Sequence, residues 1–155
     1  MPFWRLHYHL VWATRDRLPL IGESDEQAIR RSFELTYADL DLIPHAEGFM
    51  PDHVHLAVSI PPKVAVSEAV RRLKGASANA VNARGDGVRS EDFRWQGDYG
   101  AFSFGDSALE RVVDYVQNQR ELHAAGRLWA KLEQADDGYD DRRRNSNGSG
   151  VGPDN

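Results

Sequence analysis

Residues 42–60 read LIPHAEGFMPDHVHLAVSI. At the centre stands Met50-Pro51-Asp52, a proline that presets φ followed by an aspartate that can bond its own backbone, which is turn chemistry. The flanking runs, Leu42 to Phe49 and His53 to Ile60, therefore read as the two strands of a hairpin. In the second run a period of two puts Val54, Leu56, Val58 and Ile60 on one face and His53, His55, Ala57 and Ser59 on the other. Pro61-Pro62 then ends the strand.

The chain on either side supplies the rest of a sandwich. Upstream, Arg5 to Ala13 alternates in the same way, with Leu6, Tyr8, Leu10 and Trp12 opposite His7, His9 and Val11, and predicts a strand. A loop containing Arg15-Asp16-Arg17 follows. Ser24, with Gln27 as its capping-box partner, opens a helix whose stripe is Ile29, Phe33, Tyr37 and Leu40. Downstream, Ser67 caps a second helix with inner face Val70, Leu73, Ser77 and Val81. Ala83 to Glu91 is a polar loop, and Tyr99 to Phe104 is a short aromatic strand. Ser107 and Glu110 form another capping box, opening a helix that runs to about His123 along Leu109, Val113, Val116 and His123. The order strand, helix, strand, strand, helix, strand, helix is the split βαβ pattern of an α+β ferredoxin-like sandwich. The expectation is an antiparallel sheet with helices on one face, plus an added C-terminal helix.

Length and composition set bounds on this reading. The 155 residues suit one domain, and 41% hydrophobic with 28% charged residues is ordinary for a globular chain. We expect residues 1–132 to form a single domain. Residues 133–155 are polar without apolar period and are expected to be a disordered tail. The absence of cysteine removes disulfides, thiol nucleophiles and cysteine-zinc sites. No apolar run approaches the roughly 20 residues that cross a bilayer, so no membrane partner and a cytoplasmic location are expected. The net charge of −5 speaks mildly against a nonspecific nucleic-acid coat. Its distribution is uneven, however: the segment from Lys63 to Arg94 holds seven basic and four acidic residues, and a local basic stripe can still hold phosphates.

Two groups of residues carry candidate chemistry. On a strand, His53 and His55 point the same way, which is either half of a metal site or two polar residues on a solvated face. Tyr115 and Gln119 lie one helical turn apart, beside the apolar stripe. They read either as rim residues or as a phenolic nucleophile with a carboxamide oxygen nearby. Taken together, His53, His55 and Gln119 would give three ligands with open positions, a set without sulfur that suits Mg²⁺ or Mn²⁺. A phosphodiester held there would be oriented toward the Tyr115 phenolate.

These blocks resemble the HUH-type single-tyrosine transposases of small insertion sequences, including the REP-associated tyrosine transposases. The resemblance runs from Tyr8 to about Arg127. It is carried by YHLVWATRDRLPLI, MPDHVHLAVSIPP with its histidine–hydrophobe–histidine, RRLKGASANAVN, FRWQGDYGAFSFG and DYVQNQRELH. It implies a ferredoxin-like fold and cleavage of single-stranded DNA, with Mg²⁺ or Mn²⁺ on His53, His55 and Gln119. Tyr115 would form a 5′-phosphotyrosine link, releasing a 3′-OH whose counterpart reverses the step. It further implies DNA hairpins as partners and a possible homodimer that shares its active sites. The basic residues best suited to DNA are Arg15, Arg17, Arg71, Arg72 and Lys74, with Arg94 and Trp95 able to meet a phosphate and a base.

Rival readings differ in class. A histidine-triad nucleotide hydrolase needs a third histidine where Ala57 stands. A non-catalytic ferredoxin-like module for single-stranded nucleic acid would read bases on an exposed sheet, here through His7, His9 and Tyr99. His7 and His9 otherwise read as structural. A domesticated transposase acting in host DNA processing would keep the same site. Arg142-Arg143-Arg144, set among aspartates, is not expected to bind DNA.

Overall fold

The computed structural model describes residues 2–84 and 91–126. Four strands, β1 (His7–Ala13), β2 (Ile43–Met50), β3 (His53–Ser59) and β4 (Gly100–Phe104), form one antiparallel sheet in the order β2-β3-β1-β4. Helices α1 (Glu23–Leu40) and α2 (Val66–Ala83) make the two crossovers. This is the split βαβ arrangement expected from the order of elements. The hairpin turns at Pro51-Asp52, and Pro44 sits at a register shift on β2, an edge strand where its missing N–H does no harm.

Leu10 and Trp12 of β1 and Val54, Leu56 and Val58 of β3 meet Ile29, Phe33 and Tyr37 of α1 and Val70, Leu73 and Val81 of α2 in one core. The helical stripes predicted for α1 and α2 are thus the ones that pack. On the opposite face lie two short helices, α3 (Leu109–Gln117) and α4 (Gln119–Ala125). Val112 and Val116 of α3 cover Ala46 and Ala57 there.

Several local expectations are corrected. The second face of β3, which the strand period left open between a metal site and a solvated surface, is buried on the side of α3 and α4, as the first is beneath α1 and α2. The last helix is not continuous to His123: Asn118 (φ −100°, ψ 25°) leaves helical geometry and splits it. The buried residues of that region are Val112, Tyr115, Val116 and Gln119, so the packed stripe is rotated from the one predicted, and Leu109, Val113 and His123 are only half-buried.

The caps also shift. α1 begins at Glu23, where the Gly22 N–H donates to the Asp25 carboxylate at 2.9 Å, and Ser24 instead accepts from Arg84. α2 starts at Val66 after Ala65, without a side-chain cap from Ser67. Ser107 lies in a 3-10 turn, Asp106–Ala108, ahead of α3. The predicted tail, residues 133–155, and most of the polar loop lie outside the described residues.

Candidate metal and nucleophile site

β3 and the α3–α4 elbow bring the predicted residues together. His53 and His55 both point toward the elbow, with ring centroids 5.0 Å apart. Burial is nearly complete: His55 is 0% exposed, Gln119 1%, and His53 and Tyr115 5% each. The Tyr115 ring stands edge-on to His55 at 6.0 Å and to His9 at 6.3 Å. The Gln119 amide donates to the Tyr115 carbonyl at 2.8 Å, which turns Gln119 Oε1 toward His123, whose Nε2–H donates to it at 3.1 Å. Tyr115 is therefore not the rim residue its place beside the predicted stripe left open.

Gly48 of β2 explains how the elbow comes so close. A Cβ at position 48 would overlap the Val116 carbonyl oxygen and crowd Gln119 Cγ. Only glycine lets the end of α3 rest on the strand and deliver Gln119 beside His55.

The donor set fits a divalent ion. His53, His55 and His123 each offer a ligand atom, and these atoms lie within 4.8 Å of one another. Outer partners orient two of the rings. His53 Nδ1–H donates to Asp52 Oδ1 at 2.6 Å, which leaves Nε2 with the lone pair. His55 Nδ1 lies 2.9 Å from His9 Nε2, so an ion on His55 Nε2 would make Nδ1–H the donor to His9. Such partners fix tautomer and ring direction around metal ligands.

Three of these residues escaped the sequence reading. The apolar stripe puts His123 among packing residues, although it lies one turn beyond Gln119 on the same helical side. His9 reads as structural, yet it stands opposite Ala57 on β3, diagonal to His55, whose Nδ1 its Nε2 reaches at 2.9 Å. Asp52 read as a turn residue only.

The basic candidates separate into two groups. Arg15, Arg17, Arg94 and Trp95 line one cleft of about 580 Å³, and Arg17 also borders a hollow of about 540 Å³ shared with Asp52, His53 and His123. Trp95 is anchored in the core, its indole N–H donating to Ser77 Oγ at 2.8 Å and its ring against Trp12 and Phe93. Arg71, Arg72 and Lys74 stand on α2, across the sheet from the histidines. Arg71 pairs with Glu68 and Arg72 with Asp39. Lys74 donates to the carbonyls of Gln96, Gly97 and Asp98, and burial lowers its pKa. The structure does not bring these three to the site.

The rival readings meet specific obstacles. Ala57 lies sealed beneath Val112 and Val116, so no third histidine follows His55. A sheet that reads bases needs an open face, and His7, His9, His53 and His55 are all buried. Another buried tyrosine, Tyr37, sits in the core on the far face, where burial pushes its phenol far up and disfavours the phenolate.

A compact α+β sheet with an imidazole cluster and a buried tyrosine defines a class, and comparison with known proteins gives it a family. Residues 2–119 match the model of the IS200-like transposases, and the chain belongs to that family. It is 24% identical over 121 residues to the ISDra2 transposase TnpA of Deinococcus radiodurans, across 76% of this chain and 86% of the relative. Among solved structures, it resembles a crystal structure described as a transposase from Deinococcus radiodurans R1, with a TM-score of 0.61 and 24% identity, covering 76% of this chain and 93% of that one. It also resembles a REP-associated tyrosine transposase bound to a REP hairpin, with a TM-score of 0.60 and 17% identity, covering 83% and 76%. At these identities the two structures bear on the fold, and they agree with the sandwich described above. No described helix is long and apolar enough to cross a membrane.

Proposed function

We propose that this transposase cleaves and rejoins single-stranded DNA through a covalent link to Tyr115. The observation that carries the reading is the packing of the Tyr115 ring against His55 and His9, with Gln119 one turn further on. His53, His55 and Gln119 would hold Mg²⁺ or Mn²⁺, with His123 as a further ligand or as the group that steers Gln119. Three imidazoles favour Mn²⁺ over Mg²⁺. When bound, the ion supplies charge neutralisation at the scissile phosphodiester.

The chain's own residues do the rest. Tyr115 Oη attacks phosphorus, the bond from phosphorus to the 3′ oxygen breaks, the phenolic proton is given up and the 3′ oxygen takes one. The product is a 5′-phosphotyrosine and a free 3′-OH. Rejoining is the reverse, with another 3′-OH as the nucleophile, so bond energy is conserved in the link. Burial of Tyr115 keeps water from hydrolysing it. Arg15 and Arg94 would guide the strand's phosphates toward the histidines, and hairpin-bearing single-stranded DNA is the expected partner. Tyr115 reaches the histidines of its own chain, so the shared-site homodimer implied by the resemblance is not required to assemble the centre.

The test is a denaturing gel of the protein with labelled, hairpin-containing single-stranded DNA and Mn²⁺. A metal-dependent shifted band is expected from the natural chain and none from Tyr115→Phe, which keeps the ring's packing. Tight hairpin binding without a band would favour the non-catalytic nucleic-acid module. A band that persists in the phenylalanine variant would place the nucleophile elsewhere.

A further inference from the structure

Arg17 combines features that a general positive surface does not require. It ends the 3-10 turn Arg15–Arg17, and both Asp16 and Arg17 adopt positive φ, 55° and 52°. For residues with a Cβ that conformation is strained. A set of tethers maintains it. The Arg17 N–H donates to the Thr14 carbonyl at 3.0 Å, and the Thr14 N–H to the Asp52 carbonyl at 2.8 Å. The Thr14 hydroxyl lies 2.6 Å from the Leu18 carbonyl oxygen and 3.1 Å from that of Asp52. The Ile21 N–H donates to the Pro51 carbonyl at 2.9 Å. The loop is thus pinned to the turn that leads directly into His53.

Position and pairing point the same way. Arg17 is common to the 580 Å³ arginine cleft and to the 540 Å³ hollow that opens on His53 and His123. It has no ion-pair partner among the described residues, whereas Arg30, Lys63, Arg71 and Arg72 are each matched with a carboxylate. A guanidinium held in a strained loop at the mouth of the centre, with its donors uncommitted, is placed for an anion.

We infer that Arg17 is a catalytic residue whose guanidinium bonds the non-bridging oxygens of the scissile phosphate. The inference rests on the proposed cleavage and adds a role to it. As the bond from Tyr115 Oη to phosphorus forms and the bond to the 3′ oxygen breaks, charge accumulates on those oxygens. A planar fork of N–H donors matches them in pairs and remains protonated throughout, so no proton is exchanged with Arg17. Arg15 and Arg94, which border only the cleft, hold phosphates away from the reacting one.

Arg17→Gly is the informative variant, because glycine takes a φ of 52° without cost and the loop keeps its path. Adduct formation on the hairpin DNA with Mn²⁺ is followed in single turnover at saturating DNA, beside the DNA dissociation constant and Mn²⁺ affinity. The expected result is a rate lower by about 100-fold or more, with DNA affinity changed by no more than about threefold and Mn²⁺ affinity unchanged. Arg17→Lys keeps the charge without the fork and should recover only part of the rate. An unchanged rate with weakened DNA affinity would make Arg17 a binding residue and overturn the inference. A rate loss matched by lost Mn²⁺ affinity would overturn it too, by showing an effect on the centre's structure. A natural chain that forms no adduct would remove the proposed function itself, whereas failure specific to the variants leaves that function standing.

Discussion

Beneath α1 and α2 the sheet presents Leu10, Trp12, Val54, Leu56 and Val58, whereas beneath α3 and α4 it presents His7, His9, His53, His55 and Ser59. Both sets are buried, yet only the first gains from leaving water. A buried polar group costs free energy unless it is bonded, and imidazole, hydroxyl and carboxylate partners offset part of that cost for the second set. Apolar cover on that side is small, with Val112 and Val116 on Ala46 and Ala57. One face therefore holds the fold together, and the other uses that stability to keep ionisable groups converged out of bulk solvent.

The sharpest way to break this division is to damage one face and read the other. Phe33→Ala removes a fully buried ring that packs against Trp12, Tyr37 and Phe49. It should cost about 3–5 kcal/mol in urea unfolding. Mn²⁺ affinity of the molecules still folded should be unchanged, and a loss of affinity would show that the faces are not separable. Gly48→Ala is the reverse experiment. The added methyl must lift the α3–α4 elbow from β2, so Mn²⁺ affinity should fall about 10-fold or more. Stability should fall by only about 1–3 kcal/mol. Full Mn²⁺ affinity in this variant would mean that the elbow does not set the ligand geometry.

Lys74 sharpens the comparison at a residue whose charge first read as a DNA contact. Its ammonium bonds three carbonyls of residues 96–98, tying α2 to the chain that leads into β4. Lys74→Met keeps the stem and removes these bonds, and the expected loss is roughly 1 kcal/mol, since the group is partly solvated. DNA affinity should not change. A marked drop in DNA affinity at unchanged stability would return Lys74 to the nucleic-acid surface.

How much of this was legible in the sequence differs between the faces for a physical reason. Period two on β1 and β3 and the stripes of α1 and α2 report apolar burial, so they disclosed most of the first core, although Leu6, on the same alternation, lies exposed before β1 begins. On the second face the same alternation put His53 and His55 together but could not say whether they met solvent, because covered and open polar faces share one pattern. The cover depended on the elbow at Asn118 and on Gly48, neither of which carries an apolar signal. The sequence pattern therefore puts His123 on a packing stripe, although its place one turn beyond Gln119 on α4 brings its ring to His53. The caps slipped by a residue or two because Gly22 and Asp25 perform the capping that Ser24 was expected to supply.

The smallest effect expected lies at the root of the tyrosine helix, where the polar face meets solvent. The Nε2–H of His7 donates to Asp106, the Ser59 hydroxyl donates to His7 Nδ1 at 2.7 Å, and His45 Nε2–H donates to Ser59 at 2.6 Å. Burial, with His7 adding to it, lowers the pKa of His45 and favours its neutral form. The chain ties the turn before α3 to three strands. Its carboxylate is held below the ordinary value of 3.8, first by the hydrogen bond from His7 and then by the charge of Arg5. A depressed folded-state pKa stabilises the fold above the unfolded value, and that contribution disappears as pH falls through the folded one. Asp106→Asn should therefore unfold at slightly lower urea than the natural chain at about pH 7, with the gap closing toward about pH 2. Urea midpoints across that range read it directly. A gap that persists in acid would mean that the asparagine variant loses geometry rather than charge, and that the tyrosine helix is anchored by shape at its root as the apolar face is anchored by packing.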